Sequence, residues 1–134
     1  MMKSLKTLAK QADPTHVALT LTDRLPNFVQ SPCHLSCDIQ VTNKQDYYQL
    51  SSLVYGAISV TCQRCLGCFE EAYSNRSELA ICPDDEIAER LMSSMECVVN
   101  PGDDIDLVAI ITDELHLFCP EKHRDRNDCV DLTV

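Results

Sequence analysis

The chain has 134 residues, 45% of them hydrophobic and 24% charged, which fits one domain with a proper core and is too apolar for a disordered chain. Its 21 acidic side chains against 11 basic ones give a formal net charge of −10. That balance argues against binding nucleic acid by general phosphate neutralisation and suits a basic protein partner better.

Residues 1–14 are set apart as an N-terminal segment with room to be mobile, in which Lys3, Lys6 and Lys10 share one side of a helical turn beside Leu5 and Leu8. The start is basic, but no apolar stretch of a secretory signal follows, and no run reaches the ~20 residues of a membrane span. A cytoplasmic protein without membrane association is expected. Val17–Thr22 alternates as a short strand. Leu25–Val29 reads as a turn or one helical turn, closed by Ser31-Pro32. Cys33, Leu35, Cys37, Ile39 and Val41 are apolar at every second position, which predicts a strand with one buried face. Asn43–Asp46 is a polar turn. Tyr47–Leu50 and Leu53–Cys62 continue as strand, and Phe69 to Ile81 is the antiparallel mate, which places Cys62–Cys68 at a hairpin tip.

Asp84-Asp85-Glu86 is the acidic first turn of a short helix carrying Ile87, Leu91 and Met95. Val98-Val99 is a brief strand. After the turn Asn100–Asp103, with Asp103 or Asp104 as N-cap, Leu107, Val108, Ile111, Leu115 and Phe118 form one helical stripe, ended by Pro120. Residues 121–134 are a polar tail. The expected fold is therefore a single α+β domain over residues 1–134. It is an antiparallel β-sheet with a Cys-x-x-Cys hairpin tip, packed by a C-terminal amphipathic helix and a short additional helix.

Cys62-Gln63-Arg64-Cys65-Leu66-Gly67 is the sharpest local feature. Two thiolates at this spacing hold half of a tetrahedral Zn²⁺ site, and a following glycine lets backbone N–H groups approach the sulfurs. The tail offers Cys119, His123 and Cys129, with His116 on the preceding helix. The set Cys62, Cys65, His123 and Cys129 would pin the tail to the hairpin. Two other readings stay open, namely a redox dithiol and simply packed thiols. The redox reading lacks the helix that follows a thioredoxin-type pair. Cys33 and Cys37 flank His34, but alternation turns the thiols and the imidazole to opposite faces.

Neither a nucleophile elbow nor a phosphate loop is present, so a non-catalytic protein without a small-molecule substrate is expected. The acidic clusters sit where helix N-termini favour negative charge. Lys122, His123, Arg124 and Arg126 make the one dense cationic stretch. With Arg64 beside it, this stretch is either a local RNA or phosphate contact or a solvated tail.

The order of these pieces resembles the bacterial and plastid YceD family. The resemblance rests on Val60-Thr61-Cys62-Gln63-Arg64-Cys65, then Asp104-Ile105-Asp106-Leu107, Asp113-Glu114-Leu115, Leu117 and Pro120, then His123 and Cys129. It covers roughly Cys33 to Cys129. Some relatives carry a denser cysteine cluster after the Leu-Pro element than this tail does. The resemblance implies a cytoplasmic, non-catalytic ribosome-biogenesis factor that supports accumulation of 23S large-subunit rRNA. It would act on that rRNA or on a basic large-subunit ribosomal protein, with Arg64, Lys122, Arg124 and Arg126 as the contact surface. The alternative is a thiol-based redox or zinc-responsive protein using Cys62 and Cys65.

Overall fold

A computed structural model describes residues 2–123 together with Asn127 and Cys129. The elements in chain order are β1 (Met2–Ser4), α1 (Leu5–Ala9), β2 (Thr15–Leu21), β3 (Cys33–Asn43), β4 (Tyr48–Thr61), β5 (Cys68–Cys82), α2 (Asp85–Leu91), β6 (Glu96–Val99), β7 (Asp104–Asp106) and α3 (Leu107–Phe118). β2 to β6 form one sheet in the order of the chain, and β1 pairs with β7 in a separate two-stranded ribbon. The architecture is α+β, as the sequence predicts.

Alternation builds the sheet. In β3, Cys33, Leu35, Cys37, Ile39 and Val41 are all buried, while the residues between them face outward or lie half-exposed. β4 runs unbroken through Ser51-Ser52, and its inward positions include Leu50, Val54, Ile58 and Val60. α3 covers this inner face with Leu107, Ile111 and Leu115, and α1 adds Leu5 and Leu8 to the same core. Phe118, expected in the helix stripe, is 50% exposed, and Cys119 is buried in its stead. The helix ends at that point, so the last turn no longer holds the 3.6-residue phase. A polar thread crosses the core: Ser52 Oγ lies 2.9 Å from Ser77 Oγ, which donates to the Glu114 carboxylate at 2.6 Å.

Three expectations are corrected. The N-cap of α3 is Asp106, whose side chain accepts from the Ala109 N–H at 3.2 Å. Asp104 is in β7, opposite Ser4, and the Asp103 carboxylate accepts hydrogen bonds from the Ser4 hydroxyl and the Lys6 N–H. Lys3 lies in β1, so it does not share a helical side with Lys6 and Lys10. β6 pairs with β5 in parallel, the one departure from an antiparallel sheet. The reason is α2, because a helical crossover returns the chain in its original direction, whereas a hairpin reverses it.

The β4–β5 hairpin carries the site. β3 stops pairing with β4 at Tyr55, and Gly56 follows at an inward position. A Cβ there would meet the His34 carbonyl and Leu35 Cδ2 at 3.0 Å, so glycine permits this close approach. Beyond it β4 and β5 continue as far as the pair Thr61 and Cys68, while the 28–30 segment flanks β4 through Thr61 N–H to Phe28 O at 2.8 Å and Gln30 N–H to Ser59 O at 2.9 Å. The hairpin end is thus held on both sides.

Candidate metal centre

The tip between β4 and β5 is closed by backbone hydrogen bonds from Cys62 N–H to Gly67 O at 2.9 Å and from Leu66 N–H to Cys62 O at 2.7 Å. The left-handed residue of the turn is Leu66, with φ +63°, one position before the glycine that the motif suggests for such a turn. This turn aims both sulfurs to one side. After α3, Pro120 and the tail fold back across them, and Gln63 N–H donates to Glu121 O at 2.8 Å.

Four ligand atoms converge there. The side chains of Cys62, Cys65, His123 and Cys129 place their donor atoms within 4.8 Å of one another. Cys62 Sγ lies 3.9 Å from Cys129 Sγ, and His123 Nδ1 lies 3.6 Å from both Cys65 Sγ and Cys129 Sγ. A tetrahedral ion with metal–sulfur bonds of about 2.3 Å and a metal–nitrogen bond of about 2.0–2.1 Å needs edges of roughly 3.8 Å and 3.6 Å. The distances fit that requirement, so the four residues could hold a metal ion. Cys62 and Cys65 are buried, and His123 and Cys129 are half-buried.

The surroundings favour thiolate at Cys62, whereas burial raises the Cys129 thiol against the pull of Arg64. Burial alone would raise the Cys62 thiol, but the backbone N–H groups of His123, Cys65 and Arg64 bring it down to about 5. The His123 N–H donates to Cys62 Sγ at 3.4 Å. Arg64 Nε donates to Cys129 Sγ at 3.0 Å and its Nη2 to the His123 carbonyl at 3.0 Å. Three thiolates around a divalent ion leave one negative charge, which this guanidinium balances. The Phe69 ring stacks on His123 with centroids 4.2 Å apart and fixes the imidazole plane.

All four expected ligands are therefore brought together. His116 is elsewhere, with its Nε2 2.7 Å from the Arg24 carbonyl, and Cys119 belongs to the core. Cys33 and Cys37 are buried and His34 faces Thr20 on the outside, as alternation requires. Burial pushes the Cys37 thiol up to about 11, with Asp38 and Glu114 adding to the effect. Of the cationic surface, Lys122 is exposed and Arg64 directs two donors inward to the tail, while Arg124 and Arg126 lie outside the described residues. Sequence reasoning missed Phe69 as the ring beneath His123. The available signal is its place, the first aromatic residue after the knuckle in a strand returning past it.

No family model, curated protein or solved structure matches the chain. Among the described residues no helix is long and apolar enough to cross a membrane.

Proposed function

We propose that the protein is a non-catalytic ribosome-biogenesis factor whose C-terminal tail is fastened to the hairpin tip by one Zn²⁺, and that it supports accumulation of 23S rRNA. The convergence of Cys62, Cys65, His123 and Cys129 carries this reading. Three sulfurs and an imidazole form a donor set suited to zinc, and four protein ligands leave no open position for a substrate or a reactive water. Such an ion would supply cross-linking and no chemistry. The chain's own residues do the rest: Arg64 balances the charge, Phe69 orients His123, and Lys122 stands exposed beside them.

The resemblance to the YceD family supplies the setting, because its motif order includes all four ligands. In that setting Lys122, with Arg124 and Arg126 of the tail sequence, supplies the contact on an acidic protein, while Arg64 is occupied with the sulfurs. A contact of this kind suits a selective encounter with large-subunit rRNA and gives little affinity for bulk RNA. In the redox reading Cys62 and Cys65 exchange disulfides, a reaction that requires an accessible thiol. Their exposures of 0% and 4% favour holding a metal.

The test is the ratio of 23S to 16S rRNA in host cells depleted of the protein. We expect the ratio to fall, to recover with the wild-type chain, and to stay low with Cys62→Ser. An unchanged ratio on depletion refutes the rRNA reading. Full rescue by Cys62→Ser refutes the role of the metal centre in it.

A further inference from the structure

At the opposite edge of the sheet from β2, β6 has no neighbour beyond it among the described residues. Its backbone shows which groups are left facing out. Asn100 N–H donates to Cys82 O on β5, so by alternation Val98 and Glu96 also direct their N–H and C=O toward β5. The N–H and C=O of Cys97 and Val99 therefore point away from the sheet, which leaves two donors and two acceptors in a row. The edge is short, four residues with Glu96 at its start, but no proline, lysine or bulge interrupts it at Cys97 and Val99.

Apolar surface surrounds it. Met92 and Leu117 are 65% and 69% exposed, and with Met95, Cys97 and Val98 they line a hollow on one side of β6. A second hollow shares Val98 with the first and is lined by Ile110 and Asp113 of α3, the helix that also carries Leu117, together with Asp106. Methionines on such a surface adapt to different side chains. The fixed charges at the rims, Glu96 and Asp113, are exposed and negative, and no Lys or Arg lines either hollow among the described residues.

We propose that β6 is a docking edge for an extended basic polypeptide, which adds a strand outside Cys97 and Val99 and sets apolar side chains against Met92, Met95, Val98 and Leu117. Strand addition supplies main-chain hydrogen bonds, and the hollows beside Val98 take apolar side chains of the added strand. Charge selects the occupant. A second copy would bring the same acidic rims together, each on a chain of net charge −10, and a nucleic acid would meet the same repulsion. A segment that carries both lysines and apolar residues offers positive charge to Glu96 and Asp113 and apolar surface to the hollows. This inference is independent of the metal centre and of the rRNA reading.

The probe is a fluorescein-labelled peptide of alternating lysine and valine, titrated with the full chain and followed by anisotropy. We expect binding that weakens by about tenfold or more when glutamate replaces lysine in the peptide, or when Glu96→Lys and Asp113→Lys are combined in the protein. N-methylation of alternate peptide amides on the bonding side is expected to abolish binding, and the Cys97 and Val99 amides to gain hydrogen-exchange protection in the complex. Val98→Lys alone, a change at a partly exposed position, should weaken binding as well, which keeps the test decisive if the double variant fails to fold. Absence of binding by the parent peptide overturns the proposal, as does equal binding by the N-methylated or glutamate peptide. So does a sedimentation result showing a dimer that occupies the edge.

Discussion

Removal of the metal is expected to undock the tail and leave the sheet folded. Ten residues, Pro120 to Cys129, separate the end of α3 from the last ligand. Ordering the described residues 120–123 costs about 4–8 kcal/mol in backbone entropy. The Gln63–Glu121 backbone hydrogen bond and the stack of Phe69 on His123 contribute about 1 kcal/mol each. Structural zinc in small finger peptides contributes about 10–16 kcal/mol near neutral pH, more than the remaining cost. The sheet does not depend on the ion in the same way, because its core of Leu50, Val54, Ile58, Ile111 and Leu115 is complete without the tail. Limited trypsin digestion followed by mass spectrometry tests this, with cleavage after Lys122 as the readout. Cleavage is expected to be slow in the zinc-loaded protein and fast after chelation, while far-UV circular dichroism keeps its strand signature. Equal cleavage in both states, or loss of the sheet along with the metal, would refute the reasoning.

Three further outcomes follow from the packing and charges. Ile111→Ala removes a side chain that is 1% exposed at the centre of the α3–sheet contact, and chemical denaturation should show a loss of about 2–5 kcal/mol. Asp106→Ala should cost about 1 kcal/mol through the lost N-cap, and Asp104→Ala clearly less; the reverse order would restore Asp104 as the cap. Burial raises the Glu114 carboxyl above 4.5, with hydrogen bonds from Ser77 and Asn75 opposing the rise. The folded state therefore keeps a proton that the unfolded chain has already released. Stability should fall as pH rises through the window just above 4.5, and Glu114→Gln should flatten that part of the profile. A profile unchanged by the substitution would show that Glu114 does not set it.

Local pattern was enough wherever neighbours in sequence are also neighbours in space. The alternation in Cys33–Val41, the hairpin tip at Cys62–Cys68 and the stripe Leu107-Ile111-Leu115 were legible because pleat and helix impose fixed periods on apolar residues. So was the acidic start of α2, where Asp84 caps the helix by accepting from Ile87 N–H at 2.9 Å. The four candidate ligands could be named from residue type, since His123 and Cys129 are the only imidazole and thiol in residues 121–134. What spacing could not supply was their distance, because Cys65 and His123 are 58 residues apart and only the return of the tail beyond α3 brings them to 3.6 Å.

Tertiary structure alone decided the rest. β7 claims Asp104 by pairing with β1, a contact between chain segments about a hundred residues apart, and this moves the helix cap to Asp106. The parallel placement of β6 depends on the path of α2, and the exposure of its outer edge depends on no other strand of the described residues lying against it. Arg64 looks from sequence like a surface cation, yet it reaches Cys129, 65 residues away. Sequence determines which groups a segment can offer. Long-range pairing determines which of those groups meet, because that outcome turns on the competition among all segments for the same core and the same sheet edges.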